Sequence, residues 1–350
     1  MALPPCVTFS KNLFLPATMV CRDTCDYCTF RQDPRTGLLM EPAEAEAVLR
    51  DPGGATEALF VTGQSPENHP AFRERLRSLG HESLVDYVAE LCERALALGL
   101  LPHSNLGVLE EGEMARLAEV NASMGLMLEC VEPLPVHRRA PSKSPAERLR
   151  TIELAGRLRV PFTTGILVGI GETREQRIRS LEAIAALHRR FGHIQEVIVQ
   201  PFHPKPGTEM AGHPPAPLDA VADAVAEARR ILPPEVAVQI PPNLAPVEMV
   251  RHGANDLGGI STRTIDYISP EAPWPAEEEL RRALAPVPLR ERLCIYPRYV
   301  KVGWYSDTVA AVVEGLADGE GFRRKDEGGR MKAEGEASSF IPHPSSFIHG

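Results

Sequence analysis

Short apolar runs alternate with longer amphipathic stretches along most of the chain. Residues 58–61 are apolar throughout and stop at Thr62 and Gly63, which is typical of a strand buried on both faces. Residues 83–98 instead repeat apolar positions at helical spacing, which predicts a helix with one buried face. The same alternation predicts strands at 13–15, 58–61, 125–128, 162–168, 197–199 and 236–238 and helices at 41–50, 83–98, 111–119, 144–158, 173–190 and 218–231.

Together these elements form roughly eight strand–helix units with a repeat of ~35–40 residues, the last and weakest lying between residues 256 and 284. This order predicts an α/β fold, and we expect a (β/α) TIM-type barrel, partial or complete, over residues 1–305. A doubly wound sheet is the alternative, although the first loop lacks the glycine fingerprint of dinucleotide-binding sheets. We expect a C-terminal helix at 306–320 and, because residues 321–350 show no helical or strand period, a disordered tail there.

Composition narrows the class of partner. The chain has 350 residues, of which 43% are hydrophobic and 24% charged, so it can bury a core. Its formal charge of −9 argues against nucleic-acid binding and against a basic membrane anchor. No apolar run is long enough for a membrane span and the first residues do not resemble a signal peptide. We therefore expect a cytoplasmic protein that acts on a small molecule.

Three of the seven cysteines lie close together in the sequence. Cys21, Cys25 and Cys28 follow the spacing C-x3-C-x2-C, and cysteines in a cytoplasmic chain serve metal or redox chemistry more often than disulfides. Three thiolates on one loop can bind three irons of a four-iron cluster and leave the fourth iron open to another ligand. A zinc site is the alternative, but it needs a fourth protein ligand, and the nearest histidine is the distant His69.

With Tyr27 before the last cysteine, the motif resembles the C-x3-C-x-aromatic-C signature of the radical S-adenosylmethionine (radical SAM) superfamily. The resemblance implies a radical SAM barrel, a [4Fe-4S] cluster on the three cysteines, and S-adenosylmethionine bound at the open iron. It further implies a one-electron donor, whose electron cleaves S-adenosylmethionine to methionine and a 5′-deoxyadenosyl radical. The cofactor supplies that chemistry, while the protein supplies orientation and a dry cavity.

Three further segments resemble the cofactor contacts of the superfamily. Gly63 and Gln64 match the loop that receives the methionine amino group, with Gln64 in place of the usual acid. Glu129 matches the residue that binds the ribose hydroxyls, and its alternative role is a solvated strand-end glutamate. Gly169 and Glu172 belong to a segment like the adenine-binding G-x-I-x-G-x-x-E pattern, which would otherwise be a glycine-tolerant strand end before a helix.

A narrower resemblance covers about residues 11–305. It is to the CofG subunit family of 7,8-didemethyl-8-hydroxy-5-deazariboflavin synthase, and it is carried by residues 11–16, 101–105, 123–129, 161–165, 192–200, 241–244 and 255–261. This family implies a lyase that closes the deazaflavin ring of a tyrosine–diaminouracil adduct with loss of ammonia. A CofH-type subunit would make that adduct and would be the functional partner.

Such a substrate places demands on the polar residues that follow the strands. A uracil edge needs amide groups, and a ribityl chain needs carboxylates or hydroxyls. A leaving amine needs an acid–base group. The candidates for these three roles are, in order, Asn105, Gln200 and Asn243, then Asp256 and Ser261, then His103. Each also has a structural alternative, such as a hydrogen-bonded loop histidine or an asparagine that shapes a turn.

Two classes of rival function remain open. Another radical SAM enzyme would share the cysteine loop, for example one catalysing the CofH half-reaction, a menaquinone-pathway step or biotin synthase-like sulfur insertion. A non-catalytic iron–sulfur or zinc module would need only the cysteines. The matched segments after several separate strands favour an enzyme over such a module.

Overall fold

A computed structural model describes residues 3–325 of the chain. Residues 326–350, which make up most of the predicted disordered tail, lie outside the described residues. Within the described part, no helix is both long enough and apolar enough to cross a membrane.

Strands and helices alternate through the described residues. The strands are β1 Val7–Thr18, β2 Glu57–Thr62, β3 Leu101–Asn105, β4 Ser123–Gly125, β5 Phe162–Val168, β6 Ile194–Pro201, β7 Ala237–Gln239, β8 Asp256–Ile260 and β9 Leu289–Glu291. The helices are α1 Pro42–Leu49, α2 Pro70–Ser78, α3 Leu84–Ala97, α4 Glu111–Ala118, α5 Pro145–Arg157, α6 Arg174–Phe191, α7 Leu218–Ile231, α8 Glu277–Leu284, α9 Pro297–Lys301 and α10 Asp307–Leu316.

The first eight strands form a closed parallel barrel. They pair in the order β2-β3-β4-β5-β6-β7-β8-β1, and β1 pairs back onto β2 to close the ring. Neighbouring parallel strands require crossover connections, and the helices along the chain supply them. The predicted TIM-type barrel is therefore confirmed, and the alternative of a doubly wound sheet is wrong.

Helix ends are defined by local sequence chemistry. The Ser83 hydroxyl accepts hydrogen bonds from the backbone N–H groups of Val85 and Asp86 at the start of α3. Thr173 and Gln176 form a reciprocal capping box at the start of α6. The helix ends at Phe191, and the next residue, Gly192, caps it with a positive φ of 73° that suits glycine. These signals explain why both helices could be predicted from the sequence.

Three elements differ from the sequence predictions. Helix α2 was not predicted, because only Phe72 and Leu76 are buried among its nine residues. The predicted strand at 125–128 was placed too late, since the ladder with β5 ends at the pair Gly125–Thr163. Strand β9 was also missed, because it is only three residues long and pairs with the distant start of β1.

Residues 289–296 close the barrel at the amino-terminal ends of its strands. The Arg292 guanidinium donates to both carboxylate oxygens of Asp256 at 2.7 Å and to Glu196 at 3.1 Å. The Cys294 carbonyl oxygen accepts from the Ser123 hydroxyl at 2.9 Å and from the Gln195 amide at 2.9 Å. We call this layer of buried polar groups the barrel floor.

The Arg292 ion pair predicts a large effect on stability. Replacing Arg292 with Leu leaves the fully buried Asp256 carboxylate without its cation, which we expect to lower the free energy of unfolding by about 3–5 kcal/mol. Chemical denaturation followed by circular dichroism measures this change.

The matched control is Arg290→Leu in the same segment. Arg290 pairs with Asp318 and Glu320 at the surface, so its loss should cost no more than about 1 kcal/mol. Equal costs for the two variants would contradict the role of Arg292 as the main cation of the floor.

Candidate active site

The three clustered cysteines lie on the loop that follows β1, at the carboxyl-terminal end of the barrel. Each is a free, partly buried thiol. The backbone N–H of Gln64 donates to the Cys21 sulfur at 3.2 Å, and the N–H of Cys28 donates to the Cys25 carbonyl oxygen at 3.2 Å. The cysteine loop is thus held both by its own turn and by the loop that follows β2.

Gly63 permits the close approach of these two loops. A Cβ atom at this position would overlap the carbonyl oxygen of Val20 and lie 2.6 Å from the Cβ of Cys21. The Gly63 N–H donates to the Thr18 carbonyl oxygen at 3.1 Å. A side chain at position 63 would therefore push the first cysteine out of place.

The Gln64 side chain ties the loop after β2 to the loop after β3. Its Oε1 accepts from the Val108 N–H at 2.8 Å, and its Nε2 donates to the Ser65 hydroxyl at 2.9 Å. An amide can make both bonds at once, whereas a carboxylate could only accept. A contact between Gln64 and the methionine amino group stays a prediction.

A third loop, between β4 and α5, covers the other side of the cysteine loop. The Asp26 carboxylate is buried and pairs with Arg138 and, at 3.0 Å, with Arg139. The Thr24 N–H donates to the Arg139 carbonyl oxygen at 2.9 Å. The Ser142 hydroxyl donates to the Asp23 carboxylate. One aspartate on each side of Cys25, Asp23 before it and Asp26 after it, therefore anchors the loop through its carboxylate.

Glu129 lies beside the cysteine loop in a strained backbone conformation. Its φ is +66°, unusual for a residue other than glycine, and its side chain is buried. Lys143 forms an ion pair with it, and the Arg148 guanidinium lies 4.0 Å away. Burial opposes ionisation, but these two cations outweigh it and hold the pKa of Glu129 below its usual range. The carboxylate is thus kept as an acceptor of hydrogen bonds.

Lys143 and Arg148 were missed by sequence reasoning. Lys143 is one of only six lysines, in a chain whose other basic side chains are arginines, and that rarity was the available signal. Tyr27 was expected, and its hydroxyl lies 2.9 Å from Nε2 of His137. Lys143 and His137 both lie on the loop between β4 and α5. This loop approaches Tyr27 and Glu129 only in the folded protein, so the contacts could not be read from the sequence.

Glu172 folds the glycine-rich turn that follows β5. Its carboxylate accepts from the N–H groups of Gly169 at 2.9 Å and Ile170 at 2.8 Å, and pairs with Arg177 at 2.8 Å. Gly169 needs its positive φ of 96° for this turn. Glu172 therefore positions the loop through its backbone, and a direct contact with adenine stays a prediction.

A cavity of about 420 Å³ runs inside the barrel from the cysteine loop to the barrel floor. It brings together three of the predicted substrate residues, His103, Asn105 and Gln200. The cofactor candidates Tyr27, Cys28 and Glu129 line the same cavity, together with Lys143 and Arg148. Cofactor and substrate candidates thus line one continuous cavity inside the barrel.

Three predicted substrate residues do not line this cavity. Asp256 is fully buried in the ion pair with Arg292, so its carboxylate is already occupied. The Ser261 hydroxyl accepts from the Thr264 N–H at 3.0 Å and so shapes a turn. The Asn243 amide donates to Asp266 and to a backbone carbonyl, each at 3.1 Å. Each supports the fold around the cavity, and a direct contact of these three residues with substrate stays a prediction.

His103 is an engaged, neutral imidazole. Its Nδ1 lies 2.7 Å from the Ser123 hydroxyl and its Nε2 lies 3.3 Å from the Asn105 side-chain oxygen. Burial lowers the pKa of His103 to about 4, so the ring is neutral at pH 7. This arrangement favours a hydrogen-bonding role over proton donation to a leaving amine.

Glu57 is a third site residue, after Lys143 and Arg148, that sequence reasoning missed. It begins β2, lines the cavity at the barrel floor, and accepts a hydrogen bond from the Ser10 hydroxyl at 2.8 Å. Burial raises the pKa of its carboxyl to about 7, although Ser10 and Arg292 favour the ionised form. A charged residue at the head of an apolar run was the signal that pointed to it.

The cysteine loop fits a multi-iron cluster. No group of three His, Cys, Asp or Glu side chains in residues 3–325 could hold a single metal ion. A four-iron cluster makes a different demand, because each thiolate binds its own iron and the sulfurs need not converge on one point. Burial raises the pKa of Cys25 to about 12, against the opposing charge of Lys143, so its thiolate needs cations such as iron nearby.

Gly63→Ala tests the geometry of the loop. The added methyl group displaces Val20 and Cys21, and we expect iron affinity to fall by about 10–100-fold, as when other groups that orient metal ligands are lost. Iron per chain after anaerobic reconstitution is the measurement. Gly112→Ala, where a Cβ meets nothing within 4 Å, should bind iron as the wild type does. Equal iron content in both variants would contradict this account.

Glu57→Gln tests the raised pKa. Between about pH 4.5 and 7 the folded wild type keeps a proton that the unfolded chain loses, so its stability falls as pH rises through this window. The glutamine variant lacks this dependence. We therefore expect the free energy of unfolding of Glu57→Gln, relative to wild type, to increase from pH 5 to 7 and then level off. A difference independent of pH would show that Glu57 titrates normally.

Comparison with known proteins agrees with this site. The model of the Radical SAM superfamily matches residues 15–184. Among solved structures, the crystal structure of methylornithine synthase (PylB) has a TM-score of 0.58 and 16% identity. The match covers 88% of this chain and 86% of that chain. This likeness shows a shared fold.

Curated relatives are much more similar in sequence. The 7,8-didemethyl-8-hydroxy-5-deazariboflavin synthase of Methanosarcina mazei is 49% identical over 324 residues, covering 91% of this chain and 97% of that protein. The protein of the same name from Methanoculleus marisnigri is 53% identical over 315 residues, covering 89% and 95%. The chain therefore belongs to the 7,8-didemethyl-8-hydroxy-5-deazariboflavin synthase family of radical SAM enzymes.

Proposed function

We propose that this chain is the CofG-type lyase that closes the ring of 7,8-didemethyl-8-hydroxy-5-deazariboflavin. Its substrate would be 5-amino-5-(4-hydroxybenzyl)-6-(D-ribitylimino)-5,6-dihydrouracil, the adduct of tyrosine and a ribityl-diaminouracil. The reaction joins the two rings and releases ammonia, and over the whole reaction S-adenosylmethionine takes up the two electrons that the adduct loses and becomes 5′-deoxyadenosine and methionine. The observation that carries the proposal is 49–53% identity to relatives of this name over about nine-tenths of the chain.

The cofactor side of the site supports this reaction. Cys21, Cys25 and Cys28 would hold three irons of a [4Fe-4S] cluster. When bound, the cluster and S-adenosylmethionine supply a 5′-deoxyadenosyl radical, which removes a hydrogen atom from the substrate. The Glu129 carboxylate, kept ionised by Lys143 and Arg148, is suited to accept hydrogen bonds from ribose hydroxyls.

The chain's own residues line the cavity that the substrate would occupy. The amides of Asn105 and Gln200 line the cavity and offer both donors and acceptors to a pyrimidine edge. An apolar wall lies between these two amides and the floor, and it is formed by Leu59, Leu126 and Ile198. Such a wall suits an aromatic ring and keeps water away from it. The adduct would come from a CofH-type partner, and a one-electron donor would be needed to reduce the cluster before the reaction.

An anaerobic assay tests the proposal. The chain is reconstituted with iron and sulfide and supplied with dithionite, S-adenosylmethionine and adduct made by a CofH-type enzyme. We expect the fluorescent deazaflavin and 5′-deoxyadenosine, separated by chromatography. Cys25→Ala removes one of the cluster ligands, so both products should fall by at least about 10³-fold, as when an essential catalytic group is removed.

Cys6→Ala is the matched control. Cys6 is also a partly buried free thiol, but it precedes β1 and lies outside the motif, so the variant should keep activity. Formation of 5′-deoxyadenosine without deazaflavin would overturn the proposed substrate and leave the radical chemistry in place. Absence of both products from protein with an intact cluster would overturn the proposed lyase altogether.

A further inference from the structure

The floor end of the cavity contains polar side chains that the fold leaves without partners. Asn12 on β1 is buried, lines the cavity, and its side-chain oxygen has no hydrogen-bond partner among the described residues. A buried amide oxygen without a hydrogen bond destabilises the fold unless another molecule supplies the missing donor. Because Asn12 lines the cavity, a ligand there can contact its amide group.

Glu57 and Gln239 extend this polar surface of the cavity. Glu57 lies directly opposite Asn12 in the β1–β2 ladder, and the one side-chain hydrogen bond that it makes to a described residue is the one from Ser10. Gln239 on β7 is buried and lines the cavity. Asn12, Glu57 and Gln239 therefore form an arc across the consecutive strands β2, β1, β8 and β7.

Two glycines on β8 make room for this arc. A Cβ atom at Gly258 would overlap the Gln239 amide, and one at Gly259 would overlap the Asn12 amide. Strand β8 lies between β7 and β1, so a side chain at either position would displace one of the two amides. The Asn12 and Gln239 amides thus have room only because positions 258 and 259 are glycines.

The polar groups of the floor indicate which of the two ends of the proposed substrate it would bind. One end is a phenol, whose flat ring needs apolar walls and offers one hydroxyl. The other end is a ribityl chain, which offers a donor and an acceptor at each hydroxyl. Asn12, Glu57 and Gln239 all present polar groups to the floor end of the cavity, and a phenol with its single hydroxyl would leave most of these groups without hydrogen bonds.

We propose that the barrel floor is the binding subsite for the polyhydroxyl chain of the substrate, with Asn12, Glu57 and Gln239 as its hydrogen-bonding residues. The inference rests on the proposed function and adds an orientation to it. The ribityl chain points away from the cysteine loop, and the ring system lies above it near Asn105 and Gln200. In this assignment the ribityl chain contacts Asn12, Glu57 and Gln239. It does not contact Asp256 and Ser261, which lie outside the cavity lining.

Equilibrium binding tests the subsite without turnover. Cluster-loaded, unreduced enzyme with S-adenosylmethionine is titrated calorimetrically with two deazaflavins, one carrying the ribityl chain and one carrying a methyl group in its place. We expect wild type to prefer the ribityl compound by on the order of 10²-fold or more, because buried polar groups are left unpaired by the other compound. Asn12→Leu should reduce that preference by about tenfold or more.

A second variant and a matched control separate binding from folding. Glu57→Gln preserves shape and should also reduce the preference for the ribityl compound. Thr164→Val is the control, since its hydroxyl is buried and unpartnered but does not line the cavity. It should bind both compounds as wild type does. A merely structural role for Asn12 and Glu57 would weaken the binding of both compounds equally, and that result would overturn the subsite.

Turnover distinguishes this inference from the proposed function. The same variants are assayed with the natural adduct and with one whose ribityl chain is replaced by a 2-hydroxyethyl group. Asn12→Leu should lower kcat/KM for the natural adduct about tenfold or more and leave the shorter one nearly unchanged. Equal affinity of wild type for the two deazaflavins overturns the subsite even if deazaflavin is formed. Lack of deazaflavin formation with a strong ribityl preference overturns the reaction and leaves the subsite.

Discussion

The ion pair between Arg292 and Asp256 allows the interior of this barrel to contain buried carboxyl groups. Three carboxyl groups, Glu57, Glu196 and Asp256, lie in the floor, and among the described residues Arg292 is the cation that contacts two of them directly. Because Asp256 and Glu196 use that cation, Glu57 is left with a hydroxyl as its partner. The floor can therefore stay polar without carrying a large uncompensated charge.

The two ends of the barrel are held by different partners. At the floor, residues 289–296 bind side chains of the strands through ion pairs and through the Cys294 carbonyl oxygen. At the opposite end, the cysteine loop is held by backbone groups, such as the Thr24 N–H on the Arg139 carbonyl, and by the carboxylates of Asp23 and Asp26. Both ends are thus fixed, which suits an enzyme that binds a cofactor at one end and a substrate between the two.

The sequence predicted the features that depend on short spacing. The cysteine motif spans eight residues, and the apolar runs and helix caps are local, so the barrel and the cysteine loop could be predicted. Contacts between distant residues could not. Arg292 meets Glu196 across 96 positions, and Asp256 was assigned to substrate because nothing in its local sequence shows that a later segment occupies it. Asn12 was noticed only as part of a family resemblance, since its missing partner is a property of the folded cavity.

The position of the floor along the chain has a consequence for biosynthesis. The cysteine loop and the loops after β2 and β4 that anchor it all precede residue 173, whereas the segment that closes the floor follows all eight strands of the barrel. During synthesis, the iron-binding half of the protein therefore leaves the ribosome well before Arg292 emerges. Until residues 289–296 are available, Asp256 and Glu196 lack the cation that pairs with them in the folded protein. The half of the chain that binds the cofactor is thus made before the segment that completes the cavity.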